Sequence, residues 1–255
     1  MCKIILTFRP IGPQLFSHLF ATAAAEYLPK CNKQLLSSGS VGLDGPTGID
    51  VRKFDNLPTC YGSFRSIMQE SSPVAIYDIR IPPSNRINQT KNAVVENTQP
   101  FIMGTNNRYI FVHNGLMDAF YQKPGATALK RHILPEFAEQ VYGETDSEMF
   151  LALLLSMPAS LLLDKLRDAV DLVEAQNGAA LINLALIDRE TGETIIYRHP
   201  HKSQSFPALW IHKQIITNFP FYPDAKMLPM GHILYKKTWK GRFTSRELPV
   251  LVRPL

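Results

Sequence analysis

The second residue of the chain is a cysteine preceded only by Met1. Removal of Met1 would leave Cys2 with a thiol and a free α-amine on one residue. The amine's ordinary pKa of about 7.7–8.0 suits it to take the thiol proton at neutral pH, directly or through a water. Without that processing Cys2 reads as a small apolar side chain or a lipid attachment point. A second pattern, His113-Asn114-Gly115, follows the apolar run Tyr109-Ile110-Phe111-Val112. Asn-Gly is a strong hairpin-turn signal; at a strand end the same pair sets a side-chain amide beside a backbone N–H, two donors that can converge on one oxygen as an oxyanion hole. Arg80 closes another apolar run, where its planar fork can take a carboxylate or pair with Asp78. In Thr145-Asp146-Ser147-Glu148 the Thr145 hydroxyl and the Glu148 carboxylate form a capping box, and Asp146 falls in the first helical turn, where an acid favours the helix dipole. His113 is the other base the sequence offers a thiol. His199-Pro200-His201 lacks a nearby third ligand and reads as a loop, not a metal site.

The elements that must position these residues follow from apolar periodicity. A buried strand is expected over residues 3–8, then a helix over 14–28 with Leu15, Leu19, Phe20 and Ala23 on one face. Glycines and serines make residues 37–58 a loop. A strand over 74–81 stops at Pro82-Pro83, and a long loop over 84–99 leads to a strand over 109–112. One helix begins at Asp146 and is ended by Pro158; the next carries Leu162, Leu163, Leu166, Ala169, Val170 and Val173 and stops near Asn177-Gly178. Strands follow over 179–187, 194–198, 209–216 and 233–235, with a hairpin turn over 188–193. No repeat or linker divides the chain, which reads as one α+β domain over residues 1–255.

Composition narrows the classes. At 255 residues with 45% hydrophobic and 19% charged residues the chain is a folded globular protein. A net charge of +5 is too mild for a nucleic-acid binder. Lys236, Lys237, Lys240, Arg242, Arg246 and Arg253 against Glu247 make a solvated basic face near the C-terminus. Cys2, Cys31 and Cys60 are an odd, scattered set that fits a reducing, cytoplasmic setting. The longest uncharged apolar run, residues 150–163, is short of the roughly 18 needed to span a bilayer and contains Pro158, so no membrane crossing is expected. Arg9, Pro10 and Pro13 interrupt what would otherwise imitate a signal peptide.

Taken in order, Met1-Cys2-Lys3, a strand ending in Arg80, Asn97-Thr98-Gln99-Pro100-Phe101, Phe111-Val112-His113-Asn114-Gly115 and Thr145-Asp146-Ser147-Glu148 resemble the class II glutamine amidotransferase domain, an N-terminal-nucleophile hydrolase. Asn183-Leu184-Ala185-Leu186, Thr217-Asn218-Phe219-Pro220 and Leu228-Pro229-Met230-Gly231-His232-Ile233-Leu234 resemble the second half of its compact, free-standing members. The resemblance covers most of the chain and is weakest over residues 11–73. It implies a four-layer αββα sandwich and a mature chain over residues 2–255. Cys2 would be nucleophile with its own amine as base, Asn114 and the Gly115 amide the oxyanion hole. Arg80 would take the α-carboxylate and Asp146 the α-ammonium of a γ-glutamyl group, with Asn97 and Gln99 shaping the pocket. The family usually has a histidine two residues before the arginine and a threonine three after it; here stand Asp78 and Pro83, followed by Ser84. The activity implied is hydrolysis of a γ-glutamyl amide or peptide bond through a cysteine thioester. The alternatives are a glutaminase subunit feeding ammonia to a partner synthase, and a non-catalytic binding member. No cofactor or metal is called for, and the partners expected are a small γ-glutamyl molecule and, on the second reading, a protein subunit.

Overall fold

The computed structural model describes residues 3–8, 11–25, 38–45, 48–53, 74–80, 95–176, 178–201, 207–238 and 243–247. Met1, Cys2, Cys31, Cys60 and most of the expected loop over 84–99 lie outside them. The chain divides into two compact units, Met1–Pro100 with Pro207–Leu228, and Phe101–Phe206 with Pro229–Leu255. In chain order the strands are β1 (Lys3–Thr7), β2 (Ser38–Gly45), β3 (Gly48–Lys53), β4 (Val74–Arg80), β5 (Phe101–Met103), β6 (Tyr109–Met117) and β7 (Ala180–Asp188). They continue as β8 (Thr194–Arg198), β9 (Trp210–His212), β10 (Ile215–Thr217), β11 (Lys226–Met227), β12 (His232–Lys236) and β13 (Thr244–Glu247).

The first unit is built on a seven-stranded sheet in the order β11-β9-β10-β1-β4-β2-β3, and every pair in it is antiparallel. β1 lies inside the sheet, with Ile5 opposite both Thr217 and Tyr77. Ile4, Ile5 and Leu6 are all buried, so both faces of this strand are covered; that is why its sequence is a continuous apolar run and not an alternating one. Ile5 and Tyr77 pack with Leu19, Phe20 and Ala23 of the helix Pro13–Ala25 and with Phe219 and Phe221. The Asn218 side chain accepts the Ile4 amide at 2.8 Å, and the Lys3 ammonium lies 5.5 Å from the centre of the Phe219 ring. Two sequence expectations are corrected here. The region expected as a loop over 37–58 contains the β2–β3 hairpin, whose glycine- and serine-rich strand β2 is held by pairing along β4 from Ser38–Arg80 to Asp44–Val74. The single strand expected over 209–216 is a hairpin of β9 and β10 that turns at Lys213, where φ is +55°.

The second unit carries a six-stranded antiparallel sheet in the order β13-β12-β8-β7-β6-β5. Phe111 and Met117 of β6, Ile182, Leu184 and Leu186 of β7, and Ile195 and Tyr197 of β8 form one cluster with the helices Asp146–Ser156 and Leu162–Glu174. On the opposite face Ile110, Val112, Ala185, Ile187 and Ile196 are buried as well. The first of these helices starts where the capping box places it: Thr145 Oγ1 accepts the Glu148 amide at 3.1 Å. The Glu148 carboxylate reaches further back, accepting the amides of Tyr142 and Gly143 at 3.1 and 2.7 Å. The helix ends at Ser156, two residues ahead of Pro158, and Lys165 donates to the terminal carbonyls of Leu155 and Met157. Burial lowers the Lys165 ammonium from its ordinary pKa. The second helix buries Leu162, Leu166, Ala169, Val170 and Val173, the stripe expected from periodicity.

Candidate active site

In the second unit the strand expected to end at Val112 runs on to Met117, so His113-Asn114-Gly115 is not a turn. Asn114 stands opposite Asn183 and Gly115 opposite Ile182 on β7. The turn signal yields to this pairing, and the glycine itself has a steric reason. A Cβ at position 115 would sit 1.6 Å from the Leu181 carbonyl oxygen and 2.5 Å from His113 Nε2, where no side chain fits. Gly115 is nevertheless exposed while Asn114 is buried. Asn114, Asn183 and Arg198 form a buried polar row across β6, β7 and β8; burial lowers the Arg198 guanidinium from its ordinary pKa.

β5 pairs with β6 only as far as Phe111, and the Met117 amide is taken instead by Asp146 Oδ2 at 2.8 Å. Asp146 Oδ1 accepts the Tyr121 hydroxyl at 3.1 Å and the Ser147 amide at 3.0 Å. The Tyr121 oxygen accepts the Asp146 amide in return at 3.0 Å. The carboxylate, 7% exposed, is thus held at a helix N-terminus by backbone and hydroxyl donors. None of those donors carries a positive charge, so the arrangement fixes an anion and leaves its charge for an incoming cation.

His113 lies beneath the same helix start. Its Nδ1 is 2.8 Å from Ser147 Oγ and its Nε2 is 3.1 Å from the Leu181 carbonyl. Burial holds the imidazole below its ordinary pKa, against the opposing pull of Asp146 and of the Leu181 hydrogen bond. The sequence offers it only as an alternative base and carries no local signal for Ser147 and Tyr121, whose contacts with His113 and Asp146 span 34 and 25 positions. His199 lies in the loop after β8, as expected, but is buried there. Its Nε2 donates to Glu174 Oε1 at 2.7 Å, and its Nδ1 lies 2.8 Å from the Tyr197 hydroxyl, whose pKa burial raises.

In the first unit Arg80 is the last residue of β4, in register with Ser38. Asp78, two positions earlier, is fully buried opposite Ile4 of β1 and Ser40 of β2. Asn97 closes the short 3₁₀ turn Val95–Asn97, and Asn97, Thr98 and Gln99 are all buried. Cys2 lies outside the described residues; β1 begins at the next one. A cavity of about 750 Å³ in the second unit, lined among others by Gly104, Arg108, Glu136, Gln140 and Arg189, holds none of the candidate residues. It lies near the Tyr109 end of β6, and Arg108 is engaged there by Asp188 and Glu190 at 2.7 and 2.6 Å. Among the described residues no group of three or more His, Cys, Asp or Glu is arranged to hold a metal ion, and no helix is long and apolar enough to cross a membrane.

Neither a protein-family model nor a curated protein sequence matches the chain. Solved structures do. The structure is similar to that of a glutamine aminotransferase class-II domain protein from Silicibacter pomeroyi, with a TM-score of 0.60 and 16% identity over 97% of this chain and 99% of that one. It is also similar to glutamine phosphoribosylpyrophosphate amidotransferase from B. subtilis, with a TM-score of 0.61 and 16% identity over 97% of this chain and 49% of that one. The mixed fold with two antiparallel sheets is therefore that of the class II glutamine amidotransferase domain.

Proposed function

We propose that the chain is an amidohydrolase that cleaves a γ-glutamyl amide or peptide bond through an N-terminal cysteine. On this reading residues 2–255 form one class II glutamine amidotransferase-like domain with the four-layer αββα architecture. The observation that carries it is the Asp146 carboxylate, fixed by uncharged donors and tied through Met117 to the strand that bears Asn114 and Gly115. A group that must hold a substrate ammonium needs that preorganised, unneutralised charge.

The reaction runs in two stages. The Cys2 α-amine takes the thiol proton, and the sulfur attacks the δ-carbonyl of a γ-glutamyl group held by Arg80 at its α-carboxylate and Asp146 at its α-ammonium. The oxyanion accepts from the Asn114 side-chain amide and the Gly115 N–H. Collapse breaks the C–N bond, and the protonated α-amine returns its proton to the leaving amine. Water, deprotonated by the same α-amine, then attacks the thioester carbonyl; glutamate leaves and the thiol is restored. Asn97 and Gln99 line the pocket. No cofactor is needed for either stage.

Purified protein with Met1 removed, confirmed by intact mass, is expected to release glutamate from at least one of glutamine, glutathione and related γ-glutamyl amides. Cys2→Ser is expected to be inert, because a hydroxyl is a far poorer nucleophile beside the same amine. Inertness of the wild-type protein toward all of them, partner present or absent, overturns the proposal. A second reading, a glutaminase that passes ammonia to a separate synthase subunit, draws on the match to 49% of the larger phosphoribosylpyrophosphate enzyme. It predicts weak glutaminase activity that a co-purifying partner stimulates strongly.

A further inference from the structure

Resting on the roles just proposed for Gly115 and Asp146, we infer that His113 is a positioning residue, a single imidazole that sets the oxyanion-hole backbone with one nitrogen and the ammonium-binding carboxylate with the other. The Leu181 oxygen can only accept, so Nε2 carries the hydrogen of that 3.1 Å contact. This carbonyl is the atom that lies in the space a side chain at Gly115 would need. His113 therefore anchors the surface against which the Gly115 backbone packs.

The other nitrogen acts on Asp146. On a ring protonated at Nε2 alone, Nδ1 accepts, and the Ser147 hydroxyl donates to it at 2.8 Å. Ser147 Oγ also lies 3.5 Å from Asp146 Oδ1, too far to hold a bond there. If Nδ1 were absent, the hydroxyl would turn toward that carboxylate and occupy a lone pair that a substrate ammonium would otherwise use. Meanwhile the Ser147 amide still donates to the same oxygen at 3.0 Å. His113 thus keeps one competing donor off Asp146. The ring, buried to 1% exposure, is no base for the thiol, because both nitrogens are committed.

Two near-isosteric variants separate the two bonds. In His113→Gln the side-chain amide reaches the place of Nε2 and can still donate to Leu181, while Ser147 loses its acceptor. In His113→Asn the side-chain oxygen stands near the place of Nδ1 and keeps the Ser147 bond, while Leu181 loses its donor. The asparagine variant is expected to lower kcat about tenfold with KM changed less than about twofold. The glutamine variant is expected to raise KM about fivefold with kcat changed less than about twofold, and adding Ser147→Ala to it, which removes the freed hydroxyl, is expected to bring KM back to within about twofold of the wild type. Equal effects of both His113 variants on kcat and KM, or no effect of either, overturn the inference. Nitrogen-15 NMR of the wild-type ring adds a readout that needs no turnover: a neutral ring protonated at Nε2, with an Nδ1 resonance that moves in Ser147→Ala, supports it. A ring protonated at Nδ1 overturns it. An inert wild-type protein sinks the proposed activity instead, and the spectrum then decides the placement of the ring.

Discussion

Two buried histidines of the same sheet bridge to opposite ends of two helices, and their surroundings differ in kind. His113 on β6 meets the N-terminus of Asp146–Ser156 through a serine hydroxyl, with a backbone carbonyl on its other side. His199, just after β8, meets the C-terminus of Leu162–Glu174 through the carboxylate of Glu174, with a tyrosine hydroxyl on its other side. Glu174 ends its helix where the dipole is negative and a carboxylate is disfavoured; the His199 hydrogen bond, the largest influence on it, lowers its pKa despite burial. Its side chain is 40% exposed, whereas His113 is shut away from water. The dry bridge, with uncharged contacts, lies beside the residues assigned to catalysis. The bridge that relies on a charge runs to a partly exposed carboxylate, where water can replace what is lost.

The largest expected effect tests how unyielding the dry bridge is. Gly115→Ala drives a methyl group into the Leu181 carbonyl and the His113 ring, and is expected to cost about 3 kcal/mol of stability in urea unfolding. A loss under about 1 kcal/mol would show that the His113 end relaxes as freely as a surface. A smaller effect separates the two bridges by pH. The unfolded His113 ring takes a proton near pH 6.5 and the folded ring only at lower pH, so the unfolded state binds more protons and stability falls as pH drops below about 6.5. This contribution has a slope of at most about 1.4 kcal/mol per pH unit, and His113→Gln is expected to remove it. Glu174, with its pKa lowered in the fold, contributes stability that is present above about pH 4.5 and lost as pH falls through its folded value. Unfolding curves from pH 7 to 3.5 should therefore show the two variants flattening different windows; a common window would erase the distinction. Smallest is Glu174→Gln at pH 7, expected to cost less than about 1 kcal/mol once its exposure is discounted, a shift of a few degrees in thermal midpoint that fades as pH falls below about 4.5.

What could be seen in the sequence was what neighbouring residues decide. The start of the helix at Asp146 follows from Thr145 and Glu148, three positions apart, and β8 was found residue for residue because its apolar run ends in charge and proline. The hairpin of β2 and β3 has no local signal because Gly39, Ser40 and Gly42 have low strand propensity, and it is the edge of β4 that holds them. Asn114-Gly115 pulled the other way: a local turn signal is overruled by pairing with β7 over the full length of β6. Among the candidate residues the resemblance picked out Asn114, Gly115 and Asp146 by type and order. It could not reveal that Met117 and Tyr121 hold Asp146, since those contacts cross 29 and 25 positions of chain.

The interior place of β1 in its sheet also bears on how the protein is made. One edge of β1 pairs with β10, through partners such as Ile5 and Thr217 more than two hundred residues apart. At a synthesis rate of about 5–20 residues per second the ribosome needs at least about 10 s after making the first strand to deliver the second. During that interval β1 lacks a neighbour on that edge. The first unit therefore cannot complete its seven-stranded sheet until most of the chain has left the ribosome.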